Sequence, residues 1–249
     1  MKILITEERQ QLILLSLNQK GAVKVSDLVT QLNTSESTIR RDLVQLEDMN
    51  YLRRVHGGAV SVQSKVIERS YKDKQMQNNN QKDLIAKSAT ELISDGDSIY
   101  LDSGTSIYEM IKYLKNKKVL VVTNGISHVE ALIDHEIPCI LLGGKVKPMT
   151  KAVIGHATLK ALENYRFDKC FLGTNGVHLT YGFTTPDPEE AYIKERAMML
   201  AKETFILADD SKFGEVTFTK FADLNQVQII TNLEENLKDY QEKTTIRVV

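Results

Sequence analysis

The chain has 249 residues, of which 42% are hydrophobic and 26% are charged, a composition typical of a soluble globular protein with one or two domains. Its net charge of −1 excludes a bulk polycation, so any nucleic-acid surface must be local. The N-terminus lacks the apolar core of a signal peptide, and no apolar run reaches the roughly 20 residues of a membrane span. Because Cys139 and Cys170 lie in separate apolar segments, we expect buried free thiols, no metal site, no cofactor and a cytoplasmic location.

Residues 1–60 predict three short helices followed by a β-hairpin. The first helix ends near Gly21, and the third begins at Ser35 or Thr34. The stretch "YLRRVHGGAVSV" alternates apolar and polar residues around a Gly-Gly pair, which predicts a two-stranded ribbon with a Gly-Gly turn. Two helices and a turn, then a third helix and a hairpin, indicate a winged helix-turn-helix.

The outer face of the third helix carries hydroxyl, amide and guanidinium groups. At about 100° per residue, a core face of Ile39, Leu43 and Leu46 leaves Thr38 and Arg41 pointing outward. The N-terminal part of such a helix fits the DNA major groove, where arginine binds guanine and hydroxyls bind bases or phosphates. Cationic residues of the wing suit phosphate or minor-groove contacts. The predicted DNA-contacting residues are Ser35, Ser37, Thr38, Arg40, Arg41, Gln45, Arg53, Arg54, His56, Gly57 and Gly58.

The alternative is an ordinary three-helix module with solvated arginines. Residues 1–60 carry a net charge of only +1, so charge alone does not decide between the two. The coincidence of turn spacing, outward-facing arginines and a Gly-Gly wing favours DNA binding.

Residues 61–80 are polar and aperiodic and predict a linker. A helix is expected from about 82 to 93, and the domain at 81–249 alternates strands with helices, which indicates a Rossmann-like α/β fold around a largely parallel sheet. The predicted strands are "SIYLDSG", "KVLVVTNG", "PCILLGGK", "KCFLGTNG", "TFILADDS", "VQIITN" and "TIRVV".

Five of these strands end in small, hydroxyl, amide or charged residues. In open α/β sheets, ligands bind beyond the carboxyl ends of the strands. The loop "DSGTS" precedes a helix whose N-terminus attracts phosphate, lysines add positive charge, and Asn and Asp bind hydroxyls. Each motif alone is ordinary turn chemistry, but their recurrence at one edge predicts a site for a small, anionic, polyhydroxylated ligand. The predicted residues are Asp102, Ser103, Gly104, Thr105, Ser106, Thr123, Asn124, Gly143, Gly144, Lys145, Asn175, Lys194, Asp209 and Lys212.

The stretch that runs from "RQQLILLSLNQKGAVKVSDL" through "STIRRDLVQLE" to "LRRVHGGAV" resembles the N-terminal domain of the DeoR family of bacterial transcriptional regulators. The resemblance continues in the family's order through "DSGTS", "VVTNG", "LLGGK", "IGHATLKAL", "FLGTNGV", "GFTTPDPEEAYIKERAM" and "LADDSKFG". It therefore covers nearly the whole chain.

This resemblance implies a repressor of a sugar-utilisation operon that binds operator DNA as a homodimer or homotetramer and is released by a phosphorylated sugar. The family's C-terminal domain is similar to ribose-5-phosphate isomerase, whose acidic "DGADE"-like loop supplies catalytic carboxylates. The corresponding stretch here, residues 174–178, reads "TNGVH" and lacks them, which implies binding without catalysis. The segment "GFTTPDPEEAYIKERAM" resembles members linked to fructose, so fructose 1-phosphate is the first candidate effector, with tagatose and galactose phosphates as rivals.

The competing function is a sugar-phosphate isomerase with an appended DNA-binding domain. It requires a carboxylate placed for proton transfer, and Asp102, Asp209 and Glu189 are the candidates. His178 is a weaker candidate base. A purely structural module would leave the arginines of the third helix and wing unexplained.

Overall fold

The computed structural model describes residues 6–20, 22–49, 51–61 and 68–249, and the chain divides into two compact units, Met1–Ile67 and Glu68–Val249. The predicted linker is too long, because residues 68–80 pack within the second unit. There the Tyr71 amide donates to the Met149 carbonyl at 2.7 Å. Residues 62–67 of that linker lie outside the described residues.

The first unit has the three predicted helices and one strand more than predicted. Ser35 is the N-cap of the third helix, as expected, since its side chain accepts from the Thr38 amide. The predicted two-stranded ribbon is a three-stranded antiparallel sheet, because a short strand after the first helix pairs with the second strand of the wing. The elements are α1 (Thr6–Lys20), β1 (Ala22–Lys24), α2 (Val25–Leu32), α3 (Glu36–Asp48), β2 (Leu52–Val55) and β3 (Gly58–Ser61), with sheet order β1-β3-β2.

The wing turn is held from both sides by backbone. Gly57 has φ +82°, a conformation that glycine adopts at no steric cost. A Cβ on Gly58 would lie 2.0 Å from the Val23 carbonyl oxygen, so only glycine allows β3 to approach β1 this closely. The Gly57 carbonyl accepts from the Val25 amide at 2.9 Å, which ties the turn to the start of α2.

The second unit contains a seven-stranded parallel sheet formed by all seven predicted strands. In order across the sheet they are β15 (Ile246–Val248), β14 (Gln228–Thr231), β12 (Ala201–Leu207), β9 (Phe167–Gly173), β4 (Ser98–Leu101), β5 (Leu120–Thr123) and β6 (Cys139–Leu141). Its helices are α4 (Tyr71–Gln75), α5 (Asn79–Glu91), α6 (Thr105–Tyr108), α7 (Ile126–Asp134), α8 (His156–Leu162), α9 (Pro188–Met199) and α10 (Lys238–Gln241).

Alternate residues of the sheet belong to two separate hydrophobic clusters, as the two-residue period of a strand requires. Tyr100 and Cys170 pack in one cluster, while Leu101 and Phe171 pack in the other. Cys170 is buried, but Cys139 is only partly buried, so the expectation of two buried thiols holds for one. No described helix has the length and apolarity that crossing a membrane requires.

Two short antiparallel sheets were not predicted. One is the hairpin of β7 (Lys145–Lys147) and β8 (Ala152–Ile154), and the other has the order β10 (Gly176–His178), β11 (Gly182–Thr185) and β13 (Thr219–Ala222). The strand order reverses direction between β4 and β9, since the chain adds β5 and β6 on one side and β12, β14 and β15 on the other. Ligands of such sheets bind beyond the carboxyl ends at that reversal.

Candidate functional site

The N-terminal turn of α3 is ordered by Ser35. Its hydroxyl accepts from the Thr38 amide at 3.3 Å and lies 2.8 Å from the Thr38 hydroxyl. Ser37 and Arg41 are exposed, and Thr38 is partly buried. Ser35 therefore shapes the outward surface of the helix, in addition to the DNA contact predicted for it.

The four arginines that were predicted to contact DNA differ in whether their side chains form an ion pair within the protein. Arg40 binds Glu36 at 2.6 Å, and Arg54 binds Glu47 at 2.5 Å, so each of these cations already has an acidic neighbour. Arg41 and Arg53 are exposed, and their side chains make no hydrogen bond or ion pair within the described part of the chain; the same holds for the side chain of His56.

The structure shows internal contacts for two further residues that were predicted to contact DNA. Gly58 is buried against β1, so its glycine serves strand packing, and the prediction that it contacts DNA is corrected. The Gln45 amide receives a hydrogen bond from Gln10 at 2.7 Å and stays exposed.

Sequence reasoning missed an internal ion pair that fixes α3. Asp42 is 1% exposed and accepts from the Arg9 guanidinium of α1, with an Nη2–Oδ1 distance of 2.8 Å. The available signal was spacing, since Asp42 shares the core face of α3 with Ile39 and Leu46.

At the strand reversal of the second unit, Asp102 and Lys194 form a buried ion pair. Their side chains are 3% and 7% exposed, and the Lys194 amine donates both to the Asp102 carboxylate and, at 3.1 Å, to the Gly173 carbonyl. The Gly173 amide donates to the same carboxylate at 3.1 Å. The pair thus joins the carboxyl ends of β4 and β9 to α9 and brings together two of the predicted ligand residues.

The loop after β4 passes next to a histidine that was not predicted. His128 is fully buried, and burial lowers its pKa to about 4, so its ring is neutral at physiological pH. It lies against Gly125, where an added Cβ would be 2.1 Å from Nδ1, and its ring meets Tyr108 edge-on. Ser103 and Thr105 of this loop are almost fully buried, while Gly104 and Ser106 are partly exposed.

A second polar group lies at the carboxyl end of β12. Asp209 is 1% exposed and accepts from Asn78 at 2.9 Å and from Ser211. Burial alone would raise the pKa of Asp209, but the charge of Lys212 and these hydrogen bonds lower it overall. Burial lowers the pKa of Lys82 to about 8, against the opposing charge of Asp209.

Asn78 and Lys82 are functional candidates that sequence reasoning missed. Both come from the predicted linker and the helix after it, α5, and not from a strand end. The signal available for Lys82 was a charged residue on the core face of α5, where it is 5% exposed and shares that face with Ile85 and Ala89. Asn78 carried no such signal.

Four of the predicted ligand residues make contacts within the protein. The Asn124 side chain accepts from the Tyr100 hydroxyl at 2.9 Å and donates to the Val153 carbonyl at 3.1 Å, which leaves it 1% exposed. Thr123 is fully buried and donates to the Leu101 carbonyl at 2.7 Å. Gly144 packs on Thr158 of α8, which a Cβ would meet at 2.1 Å. The Asn175 side chain accepts from Thr185 at 3.2 Å.

Lys145 and Gly143 are exposed, and Lys145 lies 3.4 Å from Glu189. Two open grooves in the second unit contain none of the predicted ligand residues; one runs between α8 and α9, and the other borders Leu179 and Asp223. At the carboxyl edge of the sheet, the charged side chains Asp102, Lys194 and Asp209 are buried.

The carboxylates required by the isomerase alternative are already engaged. Asp102 binds Lys194, Asp209 binds Asn78, and Glu189 lies next to Lys145. His178 Nδ1 accepts from the amides of Thr180 and Tyr181 at 3.1 and 3.3 Å. Among the described residues, no group of three His, Cys, Asp or Glu side chains converges in a way that suits a metal ion.

Comparison with known families matches both units. Residues 9–65 match the DeoR-like helix-turn-helix domain, and residues 77–232 match the DeoR C terminal sensor domain.

Individual relatives agree with these matches. The chain is 49% identical over 249 residues to a protein of Bacillus subtilis named as an uncharacterized HTH-type transcriptional regulator FruR, covering 99% of each. It is 32% identical over 225 residues to a lactose phosphotransferase system repressor of Staphylococcus epidermidis, covering 89% of each. Ribose 5-phosphate isomerase A of Methanocaldococcus jannaschii matches at 22% identity over 55% of each chain, with a TM-score of 0.42. Both domains match the family models, and one relative matches the chain along 99% of its length. The chain therefore belongs to the DeoR family and is a transcriptional regulator and not an enzyme.

Proposed function

We propose that the chain represses a sugar-utilisation operon by binding operator DNA through α3 and the wing, and that a phosphorylated sugar at the carboxyl edge of the parallel sheet releases it. The observation that carries this proposal is the concentration of buried ammonium and carboxylate groups at that edge, in Asp102, Lys194, Asp209 and Lys82.

The DNA-binding step uses groups that have no internal partner to give up. Arg41 on α3 and Arg53 and His56 on the wing are exposed. In a winged helix-turn-helix, the first helical turns of α3 enter the major groove, where Thr38 and Arg41 reach base edges. The wing cations then neutralise phosphates of the adjacent backbone.

The effector-binding step uses the loop after β4 and the lysines around it. The N-terminus of α6 and the hydroxyl of Ser103 suit a phosphoryl group, and Lys194, Lys82 and Lys212 supply positive charge. Asp102 and Asp209 accept from sugar hydroxyls. Their strands are separated by one strand, which at ~4.8 Å spacing puts them roughly 10 Å apart, a span that an open-chain sugar phosphate can bridge.

Repression further calls for a homodimer or homotetramer. One short helix contacts few base pairs, and symmetric copies on repeated half-sites multiply that small specificity.

Fructose 1-phosphate is our first candidate for the effector. The support is the segment "GFTTPDPEEAYIKERAM" together with the 49% identity to a relative whose printed name is FruR. Tagatose and galactose phosphates remain rivals, since other relatives are named lactose phosphotransferase system repressors.

The test begins with selection of a binding sequence from a random DNA pool, followed by anisotropy titrations at fixed salt. Addition of fructose 1-phosphate, tagatose 6-phosphate, galactose 6-phosphate or ribose 5-phosphate should weaken DNA binding at least tenfold for one compound, and inorganic phosphate serves as the control. Failure to select any DNA sequence would refute the DNA-binding role. Interconversion of ribose 5-phosphate and ribulose 5-phosphate by the purified protein would instead support the isomerase.

A further inference from the structure

A buried ion cluster lies between the first residues of the second unit and α9. The Lys147 amine lies 2.5 Å from Glu68, 2.7 Å from Asp187 and 3.1 Å from Glu190. The side chains of Glu68 and Glu190 are only 6% and 8% exposed. Three carboxylates thus share one ammonium group, and two of the three are almost fully buried.

The members of this cluster come from elements that are far apart in sequence. Glu68 directly follows residues 62–67, Lys147 is the last residue of β7, and Glu190 is in the first turn of α9. Lys74 of α4 is a second cation on Glu68, at 2.6 Å, and the Thr150 hydroxyl donates to Glu190 at 2.6 Å. The cluster therefore fastens the start of the second unit to the hairpin and to α9.

The same helix carries the cation of the candidate effector site. Glu190 and Lys194 are one turn apart on α9, the spacing at which helical side chains are neighbours. Burial and the charge of Glu68 raise the pKa of Glu190, while the charges of Lys194 and Lys147 act in the opposite direction. Lys194 in turn binds Asp102 at the end of β4. Direct ion pairs therefore join Asp102 to Lys194 and Glu190 to Lys147 and Glu68, and the charge of Lys194 acts on Glu190 across one turn of α9.

We propose that Glu68, Lys147 and Glu190 act as positioning residues that transmit effector binding at Lys194 to the segment joining the sensor to the DNA-binding domain. This inference rests on the proposed function in one respect, namely that the effector's anionic group engages Lys194.

The physical reason is the exacting geometry of buried ion pairs. Removing one partner leaves an uncompensated buried charge, so such a cluster has few stable arrangements. When an anion draws Lys194 away from Asp102, the positive charge that Lys194 provides at Glu190 changes. The ion pairs of Lys147 with Glu190 and with Glu68 then change in strength, so Glu68 is held more or less firmly in its place. The effector releases DNA to the extent that it binds the two arrangements with different affinity.

The first experiment compares Glu68→Gln with the control Glu91→Gln. Glu91 is the last residue of α5, and its carboxylate forms an exposed ion pair with Arg247. Effector affinity is measured by calorimetry and DNA release by anisotropy, using the sugar phosphate that releases the wild type. Glu68→Gln should keep its effector Kd within about twofold, and effector should change its DNA affinity less than twofold. Release equal to that of wild type in Glu68→Gln would overturn the proposal.

The second experiment needs no effector, so it separates failure of this inference from failure of the proposed function. Asp102→Asn removes the charge that holds Lys194, and hydrogen exchange is followed at the amides of Tyr71–Gln75, a helix that begins three residues after Glu68. Exchange there should accelerate at least fivefold in Asp102→Asn and stay at the wild-type rate in Glu91→Gln. Unchanged exchange in Asp102→Asn would rule out the transmission even if every sugar phosphate failed to release DNA.

Discussion

The proposed DNA-binding surface and the proposed effector site use the same kinds of charged residue in opposite environments. On α3 and the wing, the side chains of cations such as Arg41 and Arg53 are exposed and bind no other described side chain. At the sensor edge, Lys194 and Asp102 are buried and fully paired. An exposed cation gains a DNA phosphate or base without losing a bond inside the protein. A buried pair must give up its internal partner before it binds a ligand. Ligand binding there therefore rearranges the buried charges of the protein.

The largest effect should follow from breaking the buried pair. Lys194→Met leaves the Asp102 carboxylate uncompensated, so the free energy of unfolding should fall by about 3–5 kcal/mol. Urea denaturation measures it. Adding Asp102→Asn to Lys194→Met should recover part of the loss, because the unpaired charge is then gone. Equal stability of Lys194→Met and the wild type would show that this buried ion pair contributes no more to the free energy of unfolding than an exposed ion pair does.

Removal of an exposed cation should affect binding and not folding. Arg41→Ala should weaken operator binding by about 1–3 kcal/mol in anisotropy titrations at fixed salt, with an unchanged urea midpoint. The control is Arg247→Ala, an exposed arginine of the second unit that should leave operator affinity unaltered. Arg40→Ala should cost less than Arg41→Ala, since Arg40 must first leave Glu36. Wild-type affinity of Arg41→Ala would exclude Arg41 from the DNA contact.

Ser35 is relevant to both stability and DNA binding, because it caps α3 and is also a predicted DNA contact. Ser35→Ala removes the acceptor for the Thr38 amide and should lower the free energy of unfolding by about 1 kcal/mol. Ser37→Ala, two residues along and exposed, should stay within about 0.5 kcal/mol of wild type. Thermal denaturation of the pair tests this, and equal losses in both variants would remove the capping role from Ser35.

The smallest effect is a pH dependence at the sensor edge. The pKa of Lys82, lowered by burial to about 8, puts its loss of a proton between pH 7.5 and 8.5. Because only the protonated amine attracts the phosphoryl group, effector affinity should fall about threefold as pH rises across this interval. Calorimetry at both pH values measures it, and Lys82→Arg, which stays charged, should show no such fall. An affinity that rises with pH would place Lys82 outside the site.

The parallel sheet could be predicted because each strand is a short apolar run that ends in turn residues, as in "VLVVTNG" and "FILADDS". The same regularity does not distinguish polar side chains that are used inside the protein from those available to a ligand. Asn124 and Thr123 end a strand as Asp102 does, but their side chains hydrogen-bond to Tyr100 and Leu101 within the protein. Which partner a polar side chain takes depends on three-dimensional neighbours that no local pattern contains.

The residues that were missed illustrate the same limit. Asn78 donates to Asp209 from the turn before α5, across 131 positions of sequence. The Lys82 amine of α5 donates to the Lys74 carbonyl and acts on Asp209 through its charge. Strand β1 is three residues long and is defined by its pairing with β3 and not by its own sequence. Gly58, in contrast, was correctly singled out for its residue type, but the close approach it permits is to Val23 inside the fold.

The bond from the Val25 amide to the Gly57 carbonyl, together with the pairing of β1 and β3, has a thermodynamic consequence for the encounter with DNA. The hairpin tip is already in place before any duplex arrives, so its ordering entropy belongs to folding and not to association. Calorimetric titration of a DNA fragment should therefore give a modest heat-capacity change, well short of what a segment that folds on contact produces.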